Sequence, residues 1–321
     1  MNRQWQAADR ILAVRLDSMG DVLMTEPALA ALRANGRRHV TLLTSASAAP
    51  IARLLPSVDA VLTYPAPWIK ATERRDPGLD LMMVERLRAG RFDGAVIFTV
   101  YSQSSLPAAL TCHLAGIPLR VARSRENPYL LLTDWVREDE PDVERHEVER
   151  QLSLVRGLGF VPTRDRMCLR LKPAHRSQAL RALLEAGVAM DRPWLVLHPG
   201  ASAPSRRYPT ESYARVADRL VLEDDWQVVL LSGPDDEDLA EEVRSVMRAP
   251  TASVGGLSVG EMAAVIAAAP LFVGNNSGPM HVASAVGTPV VVPYAQTNPQ
   301  HTPWNVPARV LTRDVPCRNC Y

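Results

Sequence analysis

Short apolar runs alternate with stretches of helical periodicity along the first half of the chain. Apolar runs bounded by turn residues favour buried strands, and the longer periodic stretches favour helices. The Pro-rich, charged segment 65–78 predicts a loop. Because strands that alternate with helices form parallel β–α–β units, this half is predicted to be an α/β domain. The predicted strands cover residues 11–16, 39–44, 59–64 and 94–100, and the predicted helices cover 21–34, 45–55 and 105–115.

The same alternation starts again after residue 172. Thr210 and Ser277 are the predicted N-caps of two helices, since a hydroxyl side chain there can accept from a free backbone N–H. The sequence therefore predicts two α/β domains, residues 1–172 and 173–321, each with a parallel sheet. In the second domain the predicted strands cover 194–200, 227–233, 271–275 and 289–294, and the predicted helices cover 210–222, 235–248 and a segment from 277.

Charge is nearly balanced, with 36 Lys and Arg against 35 Asp and Glu and a formal net charge of +1. This balance argues against a general nucleic-acid-binding protein, which would be clearly basic. No long apolar region follows the charged N-terminal residues, so no signal peptide is predicted. No window of about 18 residues is apolar enough to span a membrane, so the predicted location is the cytoplasm.

The cysteines form two groups. Cys112 and Cys168 lie far apart in apolar surroundings, and both are predicted to be buried free thiols. Cys317 and Cys320 form a C-x-x-C pair near the end of the chain, which is at most half of a zinc site. No metal ligand and no cofactor are predicted.

Ligands of open α/β sheets bind beyond the carboxyl ends of the strands, and three turns at such positions contain reactive or anion-binding residues. The first turn is DSMGD, residues 17–21. Gly20 is predicted to permit a tight turn between strand and helix. Asp21 stands at the predicted helix start, where it can cap the helix. With Arg15 and Ser18 beside it, Asp21 can also serve as a general base toward an acceptor hydroxyl.

The second turn follows the strand at 194–200. Gly200 would allow a phosphate to approach the backbone, and Ala201 and Ser202 would offer free N–H groups. Arg206 and Arg207 supply fork-shaped donors that suit phosphate. A pair of solvated surface arginines is the alternative interpretation of these two residues.

The third turn contains the most specific segment in the chain. Asn275 and Asn276 end a predicted strand, and Ser277 precedes a helix whose first N–H groups can bind an anion. Gly278 exposes backbone donors at that helix start. His281 lies one turn further on, where it can donate to a phosphate oxygen or serve only as a structural residue.

These three turns resemble, in order and spacing, those of glycosyltransferase family 9, the lipopolysaccharide heptosyltransferase family. The resemblance implies a GT-B fold, in which two Rossmann-like domains face each other across a cleft. It implies an acceptor, an anionic lipid A–Kdo core or a related glycan, on the first domain and an ADP-sugar on the second. It also implies inverting transfer without a metal ion, and a protein that can associate peripherally with the inner membrane. The segments that resemble the family are RLDSMGDVLMTEPAL (15–29), HPGASAPSRRYP (198–209) and NNSGPMHVASAVGTPVVVPYAQTNP (275–299).

The resemblance also implies roles for single residues. Asp21 matches the family's catalytic base, Arg206 its cation on the donor phosphates, and Glu237 the acid that contacts the donor's ribose or adenine. The turns and the resemblance together predict donor binding by Gly200, Ala201, Ser202, Arg206, Glu237, Asn276, Ser277, Gly278, Pro279 and His281.

Acceptor binding is predicted on the first domain. Besides Arg15, Ser18 and Gly20 of the first turn, a basic segment contains Arg120 and Arg123. A basic rim suits an acidic glycan, although a solvated charged surface would give the same pattern.

One residue departs from the family pattern, because Asn276 stands where members commonly have Asp. The donor could therefore be another sugar nucleotide. A non-catalytic protein that binds nucleotide sugars or glycans is the other alternative, against which the joint presence of Asp21, Arg206 and His281 argues. A dinucleotide-dependent oxidoreductase would need G-x-G-x-x-G after its first strand, which DSMGD lacks.

Overall fold

The chain divides into two compact units, Met1–Cys168 and Leu169–Tyr321, here called unit 1 and unit 2. The computed structural model describes residues 3–34, 36–69, 76–138, 145–294 and 299–314. Cys317 and Cys320 lie outside the described residues.

Unit 1 is built on one six-stranded sheet whose strands are all parallel. The strand order is β3-β2-β1-β4-β5-β6. Its buried core packs apolar residues of β1, β4 and α5 together, among them Leu12, Ile97 and Ala109. The elements are α1 (Arg3–Ala7), β1 (Arg10–Val14), α2 (Met19–Arg33), β2 (His39–Thr44), α3 (Ala49–Ala52), β3 (Ala60–Thr63), α4 (Gly78–Ala89), β4 (Gly94–Ile97), α5 (Leu106–Leu114), β5 (Leu119–Ser124), β6 (Asp134–Arg137) and α6 (Glu147–Gly157), with a 3-10 turn at Tyr129–Leu131.

Unit 2 repeats this architecture with a second parallel six-stranded sheet, ordered β12-β11-β10-β7-β8-β9. Leu195 of β7 and Leu230 of β8 are buried in the core against Tyr213 of α8. The elements are α7 (Pro173–Glu185), β7 (Trp194–His198), α8 (Thr210–Leu222), β8 (Gln227–Leu231), α9 (Glu237–Val246), β9 (Ala252–Val254), α10 (Val259–Ala268), β10 (Phe272–Gly274), α11 (Gly278–Val286), β11 (Val290–Pro293) and β12 (Ala308–Leu311), with 3-10 turns at Pro204–Arg206 and Pro299–His301.

Both sheets reverse their strand order at one place, between β1 and β4 in unit 1 and between β7 and β10 in unit 2. Counted within its own unit, each sheet has the order 3-2-1-4-5-6 of a doubly wound Rossmann sheet. At such a reversal, the chain segments that follow the two adjacent strands leave the sheet in opposite directions. A crevice forms between these segments, and ligands of such folds bind there. The three turns singled out from the sequence follow β1, β7 and β10, so they all lie at these two places.

The predicted alternation of strands and helices is confirmed, but several elements were missed. Strand β5 was taken for a basic surface segment because Arg120 and Arg123 interrupt its apolar pattern. In the structure Arg120 is 8% exposed. Its guanidinium donates to the main-chain carbonyls of Leu130 and Leu131 at 2.9 and 2.8 Å, and also to that of Ile117. An arginine whose donors are satisfied in this way can lie in a buried strand.

The helix ends confirm one predicted cap and correct another. Ser277 occupies the N-cap position of α11, as predicted, but its hydroxyl makes no capping hydrogen bond and instead donates to the Asn275 carbonyl at 3.3 Å. Thr210 is instead the first residue of α8, and Pro209 is the N-cap. Helix α11 ends at Gly287 with φ 88°, a left-handed conformation that glycine adopts without steric penalty.

The two cysteines of the described region are free thiols, as predicted. Cys112 is buried, and burial raises the pKa of its thiol to about 12. Cys168 is only partly buried, which corrects the prediction for that residue. In the parts of the chain that the structure describes, no helix is both long and apolar enough to cross a membrane.

Candidate active site

Arg15 lies at the centre of a carboxylate cluster just beyond β1. It is 0% exposed. Its guanidinium contacts Asp17 through Nε at 2.9 Å, Asp21 at 3.0 Å and Glu147 at 3.2 Å. Glu147 is the first residue of α6, so it joins the turn from far along the chain. Arg15 therefore contacts all three carboxylates, and a second cation, Arg150, lies 3.6 Å from one of them, Glu147.

Burial and charge act together on the pKa values of this cluster. Burial alone would lower the pKa of Arg15, but the three carboxylates raise it above its ordinary value. Burial raises the pKa of Asp17 and of Glu147, and Arg15 only partly offsets this. The cluster thus contains more negative than positive charge, and its stability depends on Arg15.

Asp21 is the third residue of α2 and not its N-cap, which corrects the capping interpretation made from the sequence. Ser18 is the N-cap. The Ser18 backbone N–H and hydroxyl donate to Asp21 Oδ2 at 3.2 and 2.7 Å, while Arg15 contacts Oδ1 at 3.0 Å. The side chain of Asp21 keeps 15% of its surface exposed. Both carboxylate oxygens are therefore oriented by the protein while part of the group still faces solvent.

The other residues predicted to bind the acceptor divide into two sets. Ser18 is exposed beside Asp21, and Gly20 is buried in α2 without a positive φ, so it is not the turn residue predicted. The complete burial of Arg15 disagrees with direct contact to an acceptor and favours a role in positioning Asp21. Arg120 and Arg123 do not join this cluster: Arg120 donates to carbonyls, as above, and Arg123 donates to Ser153 Oγ at 2.6 Å.

In unit 2, Asn275 connects the turn after β10 to the turn after β7. It is 0% exposed. Its amide donates to the carbonyl of Pro199 at 2.6 Å, and its Oδ1 accepts from the Tyr208 N–H and the Tyr213 hydroxyl, each at 2.9 Å. Three segments distant in sequence are therefore held at the carboxyl edge of the sheet.

Gly200 is required by the packing of Asp236, a reason that the sequence did not indicate. A Cβ at Gly200 would lie 1.9 Å from Asp236 Oδ2. The Asp236 carboxylate also accepts from His198 Nε2 at 3.0 Å and from the Gly233 N–H. Burial opposes ionisation of Asp236, but these two hydrogen bonds hold its pKa below its ordinary value. Asp236 therefore fixes the turn after β8 against the turn after β7.

The two arginines of the second turn differ in their contacts. Arg207 Nε donates to the carbonyl of Ala201 at 2.9 Å, a hydrogen bond within the same turn. The half-buried Arg206 side chain makes no hydrogen bond or ion pair within the described part of the chain. Arg206 is thus the cation of this pair that is available to a ligand. Ala201 is buried and Ser202 is exposed in the same turn.

The third turn leads directly into the N-terminus of α11. Ser277, Gly278 and Pro279 are half-buried there, and His281 is 4% exposed one turn into the helix. Asn276 is buried and donates to the Tyr294 hydroxyl at 2.9 Å. The first N–H groups of a helix have no intrahelical acceptor. Pro279 has no N–H and that of Met280 donates to the Ser277 carbonyl at 3.2 Å, so the Gly278 N–H is the group of this helix start that can receive an anion.

Glu237 begins α9 and is exposed, with its turn fixed by the preceding Asp236. Since β8 lies beside β7 in the sheet, the turns after β10, β7 and β8 are neighbours at one edge. All the residues predicted to bind the donor belong to these three turns and the helices that follow them. Among the described residues, no group of three or more His, Cys, Asp or Glu side chains could hold a metal ion.

Sequence reasoning assigned no role to Glu147, His198 or Asp236, and noted Asn275 only as a strand end. The position of His198 before a Pro-Gly turn was the one local signal that could have drawn attention to it. Glu147 carried no signal, because its partner Arg15 is distant in sequence.

Known proteins resemble this chain along most of its length. The family model for glycosyltransferase family 9 (heptosyltransferase) matches residues 81–321. Lipopolysaccharide heptosyltransferase 2 of Escherichia coli strain K12 is 26% identical over 310 residues, which cover 92% of this chain and 85% of that protein.

Solved structures share the fold of this chain, two Rossmann-like units of the GT-B class. A glycosyl transferase of family 9 from Veillonella parvula superimposes with a TM-score of 0.81 at 22% identity, covering 95% of this chain and 86% of the other. The E. coli ADP-heptose lps heptosyltransferase II gives a TM-score of 0.76 at 25% identity, covering 94% and 90%. The chain therefore belongs to glycosyltransferase family 9, the heptosyltransferase family, and is a glycosyltransferase.

Proposed function

We propose that the protein transfers a heptose, or a related sugar, from an ADP-sugar bound by unit 2 to a lipopolysaccharide-core or related glycan bound by unit 1. An acceptor hydroxyl oxygen forms a bond to the anomeric carbon, and the bond from that carbon to the donor phosphate oxygen breaks. The hydroxyl proton goes to Asp21 and ADP leaves. Attack from the face opposite the diphosphate inverts the anomeric configuration.

The observation that supports this proposal most strongly is the placement of Asp21. A general base must be positioned within hydrogen-bond reach of the hydroxyl that it deprotonates. Ser18 and Arg15 orient the two oxygens of Asp21 at the carboxyl end of β1, beside the place where the strand order of unit 1 reverses. Crevices at such places are where this fold class binds ligands.

The donor proposal rests on the anion-binding groups of unit 2 and on the relatives. Arg206, the N-terminus of α11 and His281 can receive a diphosphate, and Glu237 can accept from a ribose hydroxyl. The E. coli relative of known structure is named for ADP-heptose. A transfer assay that follows ADP release from ADP-heptose, with lipopolysaccharide-core acceptors that end either in Kdo or in a neutral sugar, tests the activity directly.

Replacement of Arg206 should weaken ADP binding. We expect Arg206→Ala to lose about 1.5–3 kcal/mol of ADP-binding free energy, which is the contribution of a hydrogen bond to a charged group. Isothermal titration calorimetry with ADP, GDP and UDP measures both this loss and the preference for adenine.

Arg207→Ala is the matched control, since that side chain already donates to Ala201 within its own turn. Arg207→Ala should lose clearly less ADP-binding free energy than Arg206→Ala. Equal losses at the two positions, or tighter binding of UDP than of ADP, would contradict the donor assignment.

Chelation of divalent cations is expected to leave turnover unchanged. The reason is that Arg206, His281 and the Gly278 N–H at the start of α11 can stabilise the charge that develops on the departing diphosphate. Initial rates measured with EDTA, and again after Mg²⁺ or Mn²⁺ is restored, check this. A loss of rate that either ion reverses would refute metal-independent transfer.

On the acceptor side we propose that Ser18 and Arg123 contact an anionic glycolipid, with the protein associated peripherally with the cytoplasmic face of the inner membrane. Arg120 and Arg15 are not included as contacts, because both are buried with their guanidinium groups engaged inside unit 1, whereas Arg123 is half-buried. Exchange of Arg123 for Ala should raise the acceptor KM if this assignment is right.

A further inference from the structure

Unit 1 contains a pocket of about 280 Å³ at the reversal of its strand order, bounded by residues of β1 and β4 and of the segments that follow β1, β3 and β4. We propose that this pocket binds an uncharged, hydroxyl-rich sugar ring of the acceptor, with Asp17 and Gln103 as its hydrogen-bonding residues and Trp68 as its apolar wall. The inference rests on the proposed function, because it specifies the acceptor of the same reaction.

The lining combines two kinds of side chain. Trp68, Ile69 and Phe98 are apolar, whereas Asp17 and Gln103, which are hydrogen-bonded to each other, are polar, as is Ser104. A pyranose ring has a matching character, with C–H groups on its faces and hydroxyls around its edge. Aromatic side chains supply apolar contact area, while carboxylate and amide groups fix the orientation of the polar edge.

Asp17 has hydrogen-bonding capacity left for a ligand. Its Oδ1 accepts from Gln103 Nε2 at 2.5 Å, and its Oδ2 lies 2.9 Å from Arg15 Nε. A carboxylate has about four acceptor sites, so two known partners leave room for sugar hydroxyl donors. The side chain is 8% exposed, so a hydroxyl bonded there would be largely shielded from water.

The charge of the pocket selects against anionic groups. Of the described residues that line it, Asp17 alone is ionisable, and neither lysine nor arginine is among them. Asp17 already shares Arg15 with Asp21 and Glu147. A carboxylate or phosphate placed beside Asp17 would meet uncompensated negative charge, which is costly in a partly buried site. The acidic groups of a glycolipid would then have to bind elsewhere on unit 1.

The size of the pocket also limits its occupant. Pockets that enclose drug-sized ligands measure roughly 300–1,000 Å³, so 280 Å³ suits a single ring and not an oligosaccharide. Arg15 touches both Asp17 and Asp21, so the ring and the proposed base would be held by one guanidinium. This pocket would therefore select the sugar that presents the reactive hydroxyl.

Binding of simple glycosides to the full-length protein tests this inference. Methyl glycosides of mannose, glucose and galactose are titrated without donor and followed by saturation-transfer NMR, with mannose 6-phosphate as the anionic comparison. We expect saturable binding of at least one neutral glycoside and weaker binding of the phosphate. Absence of binding by all three glycosides, or tighter binding of mannose 6-phosphate, overturns the inference.

Substitutions of pocket residues test where on the protein the glycoside binds. Trp68→Ala and Gln103→Ala should each lower the affinity roughly three- to tenfold, whereas Trp135→Ala, on the edge strand β6, should not change it. Gln103→Ala keeps the test decisive if Trp68→Ala does not fold. Equal affinity in Gln103→Ala and the wild type places the glycoside elsewhere and overturns the assignment.

The same titration on Asp21→Asn separates this inference from the proposed function. Glycoside binding needs neither a donor nor turnover, so it should persist in that variant. If no ADP-sugar is turned over by the wild type, the proposed function fails while the glycoside result still decides the role of the pocket. In an active enzyme, Gln103→Ala should raise the acceptor KM and leave the donor KM unchanged.

Discussion

Asp21→Asn is expected to lower turnover by about 10²–10⁴-fold, the usual cost of losing a general base. Asparagine keeps the shape of the side chain and can still accept from the Ser18 N–H, but it cannot take up the proton of an acceptor hydroxyl. ADP binding should stay nearly unchanged, because the proposed donor residues all belong to unit 2. Steady-state rates and calorimetry with ADP give the two measurements.

Asp9→Asn is a matched control for this experiment. Asp9 is an exposed aspartate of the same unit, just before β1, and pairs with Arg37 at 2.7 Å. That variant should keep wild-type rates. Near-normal turnover by Asp21→Asn would show that the carboxylate only supports the start of α2, since such a capping contact contributes about 1 kcal/mol to stability and nothing to the reaction.

Arg15→Met should destabilise unit 1 by roughly 3–5 kcal/mol, because it leaves three clustered carboxylates without their shared cation. Methionine fills much of the same volume, so the loss is mainly electrostatic. Urea unfolding followed by circular dichroism measures the change. Arg206→Met is the control, since an arginine without internal partners should change the free energy of unfolding by no more than about 0.5 kcal/mol.

The loss of stability in Arg15→Met should be larger at higher pH. Burial already raises the pKa of Asp17 and of Glu147, and loss of Arg15 removes a group that opposes this. Acids whose pKa is higher in the folded than in the unfolded state bind protons on folding, so stability falls as pH rises through that interval. The variant should therefore be closer to the wild type near about pH 5 than near about pH 8. A deficit that is independent of pH would mean that packing, and not charge, explains the loss.

Arg15→Lys separates charge from geometry in the same cluster. Lysine keeps the positive charge but lacks the planar fork that reaches Asp17, Asp21 and Glu147 together. We expect the free energy of unfolding of Arg15→Lys to lie between those of the wild type and Arg15→Met.

The amino-acid sequence by itself determined the succession of strands and helices and the turns that bear the chemistry. Apolar runs such as 39–44 and 227–233 have a local pattern that favours a buried strand, and the structure places β2 and β8 there. Ser277 and Gly287 mark the two ends of α11 for local reasons as well, since one hydroxyl precedes it and one left-handed residue follows it. Such features depend on neighbours along the chain, which a sequence displays directly.

Tertiary structure alone decided which distant residues meet. Glu147 joins Arg15 across 132 positions, and Asn275 reaches Pro199 across 76. The local pattern around each of these residues is that of an ordinary helix start or strand end. Only the order in which the strands associate brings their partners within hydrogen-bond distance.

The same reason explains the errors made from the sequence. A polar residue looks solvated when its partners are remote, so Arg120 was assigned to a surface and Arg15 to ligand contact. In the folded chain both are buried, because carbonyls in one case and carboxylates in the other replace the water that their guanidinium groups would otherwise need.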